Sequence, residues 1–166
     1  MLTTSIRVCK NGNLLLNVPL RGDGTPDEDE LSIIEGIAQW MDVNKSAIHG
    51  TRPWQVFGEG PQMADAAPIE GQGFNEGKGK PFTSEDLRFT TKGDVLYVFV
   101  MGVPKADIHI KSLGTDAKLL SKKIVRVSRL GSDEAVRWSQ SAGSLLIEAP
   151  RGPVSDMATV FEVSTK

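Results

Sequence analysis

The sequence predicts a mostly β chain, in which a C-terminal antiparallel β-sandwich is preceded by the last strand-helix unit of a (β/α)8 barrel. Three observations carry this. A short apolar run, Leu14 to Val18, lies between Asn11-Gly12 and Pro19-Leu-Arg-Gly-Asp-Gly24, the form of a strand covered on both faces. A capped amphipathic pattern follows it directly, as in a strand-loop-helix unit. From about residue 85 the pattern changes to short β-branched and aromatic runs separated by turn residues, the spacing of an antiparallel sandwich.

Taken in order, Met1 to Cys9 has room only for the tail of one helix, with Leu2, Ile6 and Cys9 at i, i+4 and i+7. No neighbouring strand precedes Leu14, so the chain is expected to open inside a domain. Thr25-Pro26-Asp27-Glu28 has the form of a capping box with proline at the first helical position, which starts a helix at Pro26. Leu31, Ile34, Ile37, Ala38 and Met41 then share one face, flanked by Ile33 and Trp40, while Asp27, Glu30, Glu35, Gln39 and Asp42 point outward. Residues 50–84, rich in glycine and proline without periodicity, read as a connector, and their aromatic residues Trp54, Phe57, Phe74 and Phe82 suggest that parts of it dock on a surface. Beyond it, strands are predicted at Glu85–Thr90, Asp94–Met101, Asp107–Ser112, Ala117–Leu120, Lys123–Leu130, Ala135–Ser139, Leu145–Pro150 and Met157–Ser164. In the second of these both faces are apolar, Tyr97, Phe99 and Met101 on one and Leu96, Val98 and Val100 on the other, which marks a central strand.

Composition excludes several classes. A net charge of −2 and a pI near 5.7 give no basic surface for nucleic acid. No run has the length of a membrane span, and Met1 to Cys9 lacks the apolar core of a leader. The single Cys9 excludes an internal disulfide. His49 and His109 stand far apart with no companion cluster, so no metal site is expected. The Gly71 to Lys80 segment fails the phosphate-loop spacing, since Gly71 precedes Gly77 by one residue too many and Gly73 by one too few. No cofactor is implied. Asp27, Glu28, Asp29 and Glu30 suit a helix N-terminus, where negative charge complements the macrodipole; Asp23 is the exception, in a loop. Glu59 and Glu76 lie in glycine-rich loops without a visible partner for catalysis. Trp40 and Trp138 read as core, and Trp54 as a wedge between barrel and sandwich. Strand ends on the top face of a (β/α)8 barrel project site residues, which makes Asn17 and Arg21 the candidate substrate-binding residues.

Asn11-Gly-Asn-Leu-Leu-Leu-Asn17, Arg21-Gly-Asp-Gly-Thr25, Gly50-Thr-Arg-Pro-Trp54, Phe57-Gly-Glu-Gly-Pro61 and Phe74-Asn-Glu-Gly-Lys-Gly-Lys-Pro-Phe82 resemble the α-L-fucosidases of glycoside hydrolase family 29 over roughly residues 5–163. The resemblance implies the last third of such an enzyme: residues 1–49 as the end of the catalytic barrel, 50–84 as connector and 85–166 as β-sandwich. It also implies retaining hydrolysis of terminal α-L-fucose from a fucosylated glycan, through an Asp nucleophile and a carboxylic acid/base about 5 Å apart. In the family both lie upstream of the strand at Leu14, so no catalytic residue maps onto this chain, which is expected to be inactive alone. Its partner would be an N-terminal barrel half, as in a split enzyme, or a second copy by self-association through the unpartnered Leu14–Leu16 and Leu31–Met41 surfaces. Family members are commonly secreted, periplasmic or lysosomal. A stand-alone carbohydrate- or protein-binding sandwich module is the alternative.

Overall fold

A computed structural model describes residues 8–64, 81–152 and 154–166. Helix α1 spans Glu28–Asn44, a 3₁₀ turn Lys45–Ala47 follows, and strand β1 runs from Arg52 to Glu59. A one-turn helix α2, Pro61–Ala64, precedes β2 (Leu87–Lys92) and β3 (Val95–Val100). Then come β4 (Ile108–Ile110), two 3₁₀ turns at Lys111–Leu113 and Thr115–Ala117, β5 (Ile124–Arg129), β6 (Trp138–Gln140), β7 (Leu145–Ile147) and β8 (Thr159–Thr165). The strands form a five-stranded sheet in the order β1-β2-β3-β8-β5 and a three-stranded sheet in the order β4-β7-β6, with every pairing antiparallel.

β3 is the middle strand of the larger sheet, as its two apolar faces require. Leu96, Val98 and Val100 pack with Leu87 and Phe89 of β2 and Phe161 and Val163 of β8 against Ile108, Ile110, Leu145 and Ile147 of the smaller sheet. On the opposite face Tyr97, Phe99 and Met101 pack with Val160 against Trp40, Ala47 and Ile48, which are the end of α1 and the turn after it. The molecule is therefore layered as helix, sheet, sheet, with a separate apolar core on each side of β3. Main-chain oxygens join the helix layer to the sheet: Trp40 Nε1 donates to Ala158 O at 2.9 Å, and Thr90 Oγ1 donates to Ala47 O at 2.8 Å. The Trp40 ring stacks on Phe99, with centroids 6.4 Å apart.

Four local predictions are corrected. Leu14 to Val18 makes no strand: residues 12–20 carry no regular structure, and Leu15 is 93% exposed. An apolar run forms a strand only where a neighbour offers a ladder, and among the described residues none pairs with it. The helix begins at Glu28 rather than Pro26, because the Asp27 carboxylate accepts from Glu30 N at 2.9 Å and takes the cap position. Thr25 instead donates through N (3.0 Å) and Oγ1 (2.7 Å) to Asp23 Oδ1, which closes a turn ahead of the helix. Within the predicted connector, Arg52–Glu59 is an edge strand paired with β2, so Trp54 packs edge-on against Phe89, with ring centroids 5.4 Å apart, as part of the sheet-to-sheet core. Ala117–Leu120 is not a strand; Thr115–Ala117 is a 3₁₀ turn that ends at Lys118 in the left-handed region, φ 53°.

Side chains also lock the end of β1. The buried Asp86 carboxylate accepts from Gln62 N (2.8 Å) with one oxygen and from Thr83 N (2.9 Å) and Thr83 Oγ1 (3.1 Å) with the other. Gly60, at φ +121°, lets the chain approach this carboxylate; a Cβ there would lie 2.4 Å from Glu85 O. One residue earlier, Glu59 Oε2 accepts from Ser112 N and Oγ, both at 3.3 Å, which ties the larger sheet to the turn after β4. Burial pushes the Glu59 carboxyl above the ordinary carboxylate range, opposed by the Ser112 hydrogen bonds and the nearby Lys111.

Truncating Trp40 to Ala empties one core and is expected to cost about 3–5 kcal/mol in urea unfolding, whereas Leu15→Ala should stay within about 0.5 kcal/mol of the parent. A carboxyl whose folded pKa is raised contributes stability below its unfolded pKa and loses it as pH rises through the folded one. Glu59→Gln cannot ionise, so the melting temperature of the variant relative to the parent should be greatest near pH 7 and should shrink as pH falls to about 4. A difference that stays flat over that range would show that Glu59 is not shifted.

Candidate functional site

Exposed apolar side chains gather in one stretch of the chain. Among the described residues the exposed large hydrophobics are Leu14, Leu15, Leu16, Leu20, Leu31, Ile33, Ile34, Val43 and Val125, and all but Val125 lie in the segment before α1 or on α1 itself. The cause is the way α1 docks. Trp40 and Asn44, one turn apart, are its buried residues, with Ile37 and Met41 partly covered, while Leu31, Ile33, Ile34 and Ala38 face outward. The apolar stripe read from the sequence is thus divided, its C-terminal part on the sheet and its N-terminal part bare. Bare surface of this kind marks an interaction site or an association hazard.

Ahead of α1 the chain makes a self-closed turn. Arg21 N donates to Thr25 O at 2.7 Å and Gly24 N to Arg21 O at 2.9 Å, with Gly24 at φ +83°. The two Thr25 hydrogen bonds hold the exposed Asp23 carboxyl below the ordinary range. Asn17 and Arg21 are both exposed, Asn17 in the irregular stretch and Arg21 at the start of this turn, and neither lines the three clefts described next. Of the acidic residues, Asp27 to Glu30 form the helix start as their positions imply, and Glu76 lies outside the described residues. His49 and His109 are exposed, and among the described residues no group of three His, Cys, Asp or Glu side chains could hold a metal ion.

A groove of about 280 Å³ runs between α1 and the larger sheet, past Trp40, Asn44, Arg129 and Met157. A second cleft of about 230 Å³ is bounded by Arg129, Glu134, Arg137, Glu148 and Arg151. There the buried Arg129 donates to Glu134 Oε2 at 3.1 Å and to Ser132 Oγ at 2.8 Å, a network that holds the β5–β6 connection. The third and largest of the three, about 770 Å³, opens where the end of β1 meets β4 and is bordered by Glu59, Glu85, Asp107, His109 and Lys111. The sequence does not reveal this cleft, because its residues come from three separated stretches and the partner of Glu59, Ser112, is brought to it only by folding. Elsewhere, Arg88 is buried beneath Phe82, its guanidinium 5.4 Å from the ring centroid, and Nη1 donates to Leu87 O at 2.7 Å. Burial pushes the neighbouring Cys9 thiol up to about 11, so it stays protonated at neutral pH and is a poor nucleophile.

The alpha-L-fucosidase family model matches residues 3–46, the stretch that holds nearly all the exposed apolar side chains. A tissue alpha-L-fucosidase from Bos taurus is 24% identical over 161 residues, which cover 96% of this chain and 28% of that enzyme. A Thermotoga maritima alpha-fucosidase structure superposes with a TM-score of 0.68 at 25% identity, covering 97% of this chain and 32% of its own. The alpha-L-fucosidase isoenzyme 1 of Paenibacillus thiaminolyticus shares the fold, with a TM-score of 0.66, 19% identity, 96% of this chain and 32% of its own. The chain spans only about three tenths of the length of these relatives. Across nearly its whole length it resembles a segment of the α-L-fucosidases of glycoside hydrolase family 29.

Proposed function

We propose that this chain supplies the closing strand-helix unit and the β-sandwich of a retaining α-L-fucosidase, an enzyme that removes terminal α-L-fucose from glycans. Residues 1–49 are the end of the (β/α)8 barrel and residues 85–166 the sandwich, which Arg52–Glu59 of the connecting 50–84 stretch joins as an edge strand. Leu14 to Val18 becomes a barrel strand when neighbouring strands are present. The observation that carries this reading is the coincidence of the bare apolar side chains with the family-matched residues 3–46, since a barrel segment without its barrel exposes such a surface.

Retaining hydrolysis needs one ionised carboxylate to attack the anomeric carbon and one protonated carboxyl to assist the leaving oxygen, about 5 Å apart. By the resemblance both lie upstream of Leu14, and on this reading the chain contributes neither. Among the described residues, Asp23 is bound to Thr25, Asp27 caps α1, Asp86 accepts from Gln62 and Thr83, and Glu59 is tied to Ser112. Its part is to close the barrel, present Asn17 and Arg21 at the outer wall of the sugar pocket, and fix α1 to a rigid sheet.

The 166-residue polypeptide by itself is expected to release no product from an aryl α-L-fucoside. Co-expression with a polypeptide carrying the remaining barrel strands should yield a complex with turnover, and turnover above a buffer blank by the chain alone would defeat the proposal. Leu15→Asp and Ile34→Asp should each weaken that complex by about tenfold or more, the scale of one buried aliphatic side chain, with unchanged circular dichroism of the free chain.

A further inference from the structure

The cleft of about 770 Å³ between the end of β1 and β4 lies in the two-sheet part of the molecule, away from the α1 face assigned to barrel closure. Its size falls in the range of about 300–1,000 Å³ typical of ligand sites. Leu87 and Ile108, both buried core residues, contribute apolar surface to it, and polar groups of both kinds ring it. Glu59, Glu85 and Asp107 supply acceptors, Lys111 supplies a donor, and His109 supplies one of each when neutral. Two of the acceptors are held in place: Asp107 Oδ1 accepts from Ala149 N at 2.9 Å, and Glu59 Oε2 accepts from Ser112.

Glu59 Oε1 is buried and has no hydrogen-bond partner. A buried polar atom left without a partner costs about 1–3 kcal/mol, a cost that a ligand hydroxyl reaching it from the adjoining cleft would relieve. The charge of the lining narrows the class. Three carboxylates against one ammonium repel phosphate, sulfate and acidic sugars, while the ammonium of Lys111 within the rim works against a polycation. Carboxylates, imidazole and ammonium around a partly apolar floor suit adjacent hydroxyls, which donate to the former and accept from the latter.

We propose that this cleft is a binding site for a neutral oligosaccharide, with Glu59, Glu85, Asp107, His109 and Lys111 as its hydrogen-bonding groups. The proposal does not require that the chain complete a barrel.

Titration calorimetry of the full chain with 2′-fucosyllactose, lactose and spermidine tests it. Saturable binding of at least one of the two sugars is expected, weakened about tenfold by His109→Ala, an exposed position whose truncation leaves the core untouched, and also by Glu59→Gln. Arg137→Ala, in the separate cleft beside Glu148, should leave binding unchanged. Tighter binding of spermidine than of either sugar, no saturation by either sugar at about 10 mM, or binding that His109→Ala leaves intact would each overturn the proposal. Because the readout is binding by the chain alone, it stands or falls apart from the complementation experiment: a preference for 2′-fucosyllactose over lactose would join the two readings, and equal binding would keep the site while separating it from fucose.

Discussion

A strand with two apolar faces has to be covered twice, and β3 imposes that requirement on everything around it. Val98 and Phe99 are both fully buried, on opposite faces of one sheet, and neither face could be left to water at the cost of several such side chains. The smaller sheet covers one side. Among the described residues no second sheet lies on the other, and α1 with its following turn takes that place through Trp40, Ala47 and Ile48. The division of the helix follows from this. Its last turns are committed to the sheet, so the apolar residues of its first turns, Leu31, Ile33 and Ile34, are left for something else.

Much of this was legible in the sequence, because alternation within a strand is a short-range property. The faces of β3, the hairpin at Gly93 and the strands at β5, β7 and β8 fall where the pattern put them. β1 was not legible: Pro53 and Gly58 are loop signals in isolation, and only an edge position tolerates the proline. The register shift between Pro53 and Gly58, and the close approach of Gly58 to Leu87 O, are tertiary facts with no local trace. The helix start was misplaced by two residues because Thr25 and Asp27 both satisfy the rule for a cap, and the choice depends on which oxygen the Glu30 amide meets.

The candidate sites divide along the same line. The sequence points to Asn17 as the carboxyl end of an apolar run and to Arg21 in the loop beyond, and they stand exposed on the irregular segment and its turn. The cleft at Glu59 could not be read at all, since Glu59, Glu85 and His109 meet only once β1 lies against β2 and the smaller sheet against both. Patterns reveal which residues share a face; they do not reveal which loops converge at the end of a stack of sheets.

The ties between α1 and the sheet have one property with a wider reach. Trp40 Nε1 donates to the carbonyl of Ala158, Thr90 Oγ1 to that of Ala47, and Lys92 Nζ to that of His49. In each pair one partner is main chain and survives any replacement of its own side chain. The junction therefore asks for a particular side chain on the donor alone; of the acceptors His49 is exposed and open to change, while Ala47 and Ala158 are buried and held small by packing. An arrangement of this kind keeps the helix seated by the path of the main chain on one side of each tie, so that only the donor has to be a particular residue type.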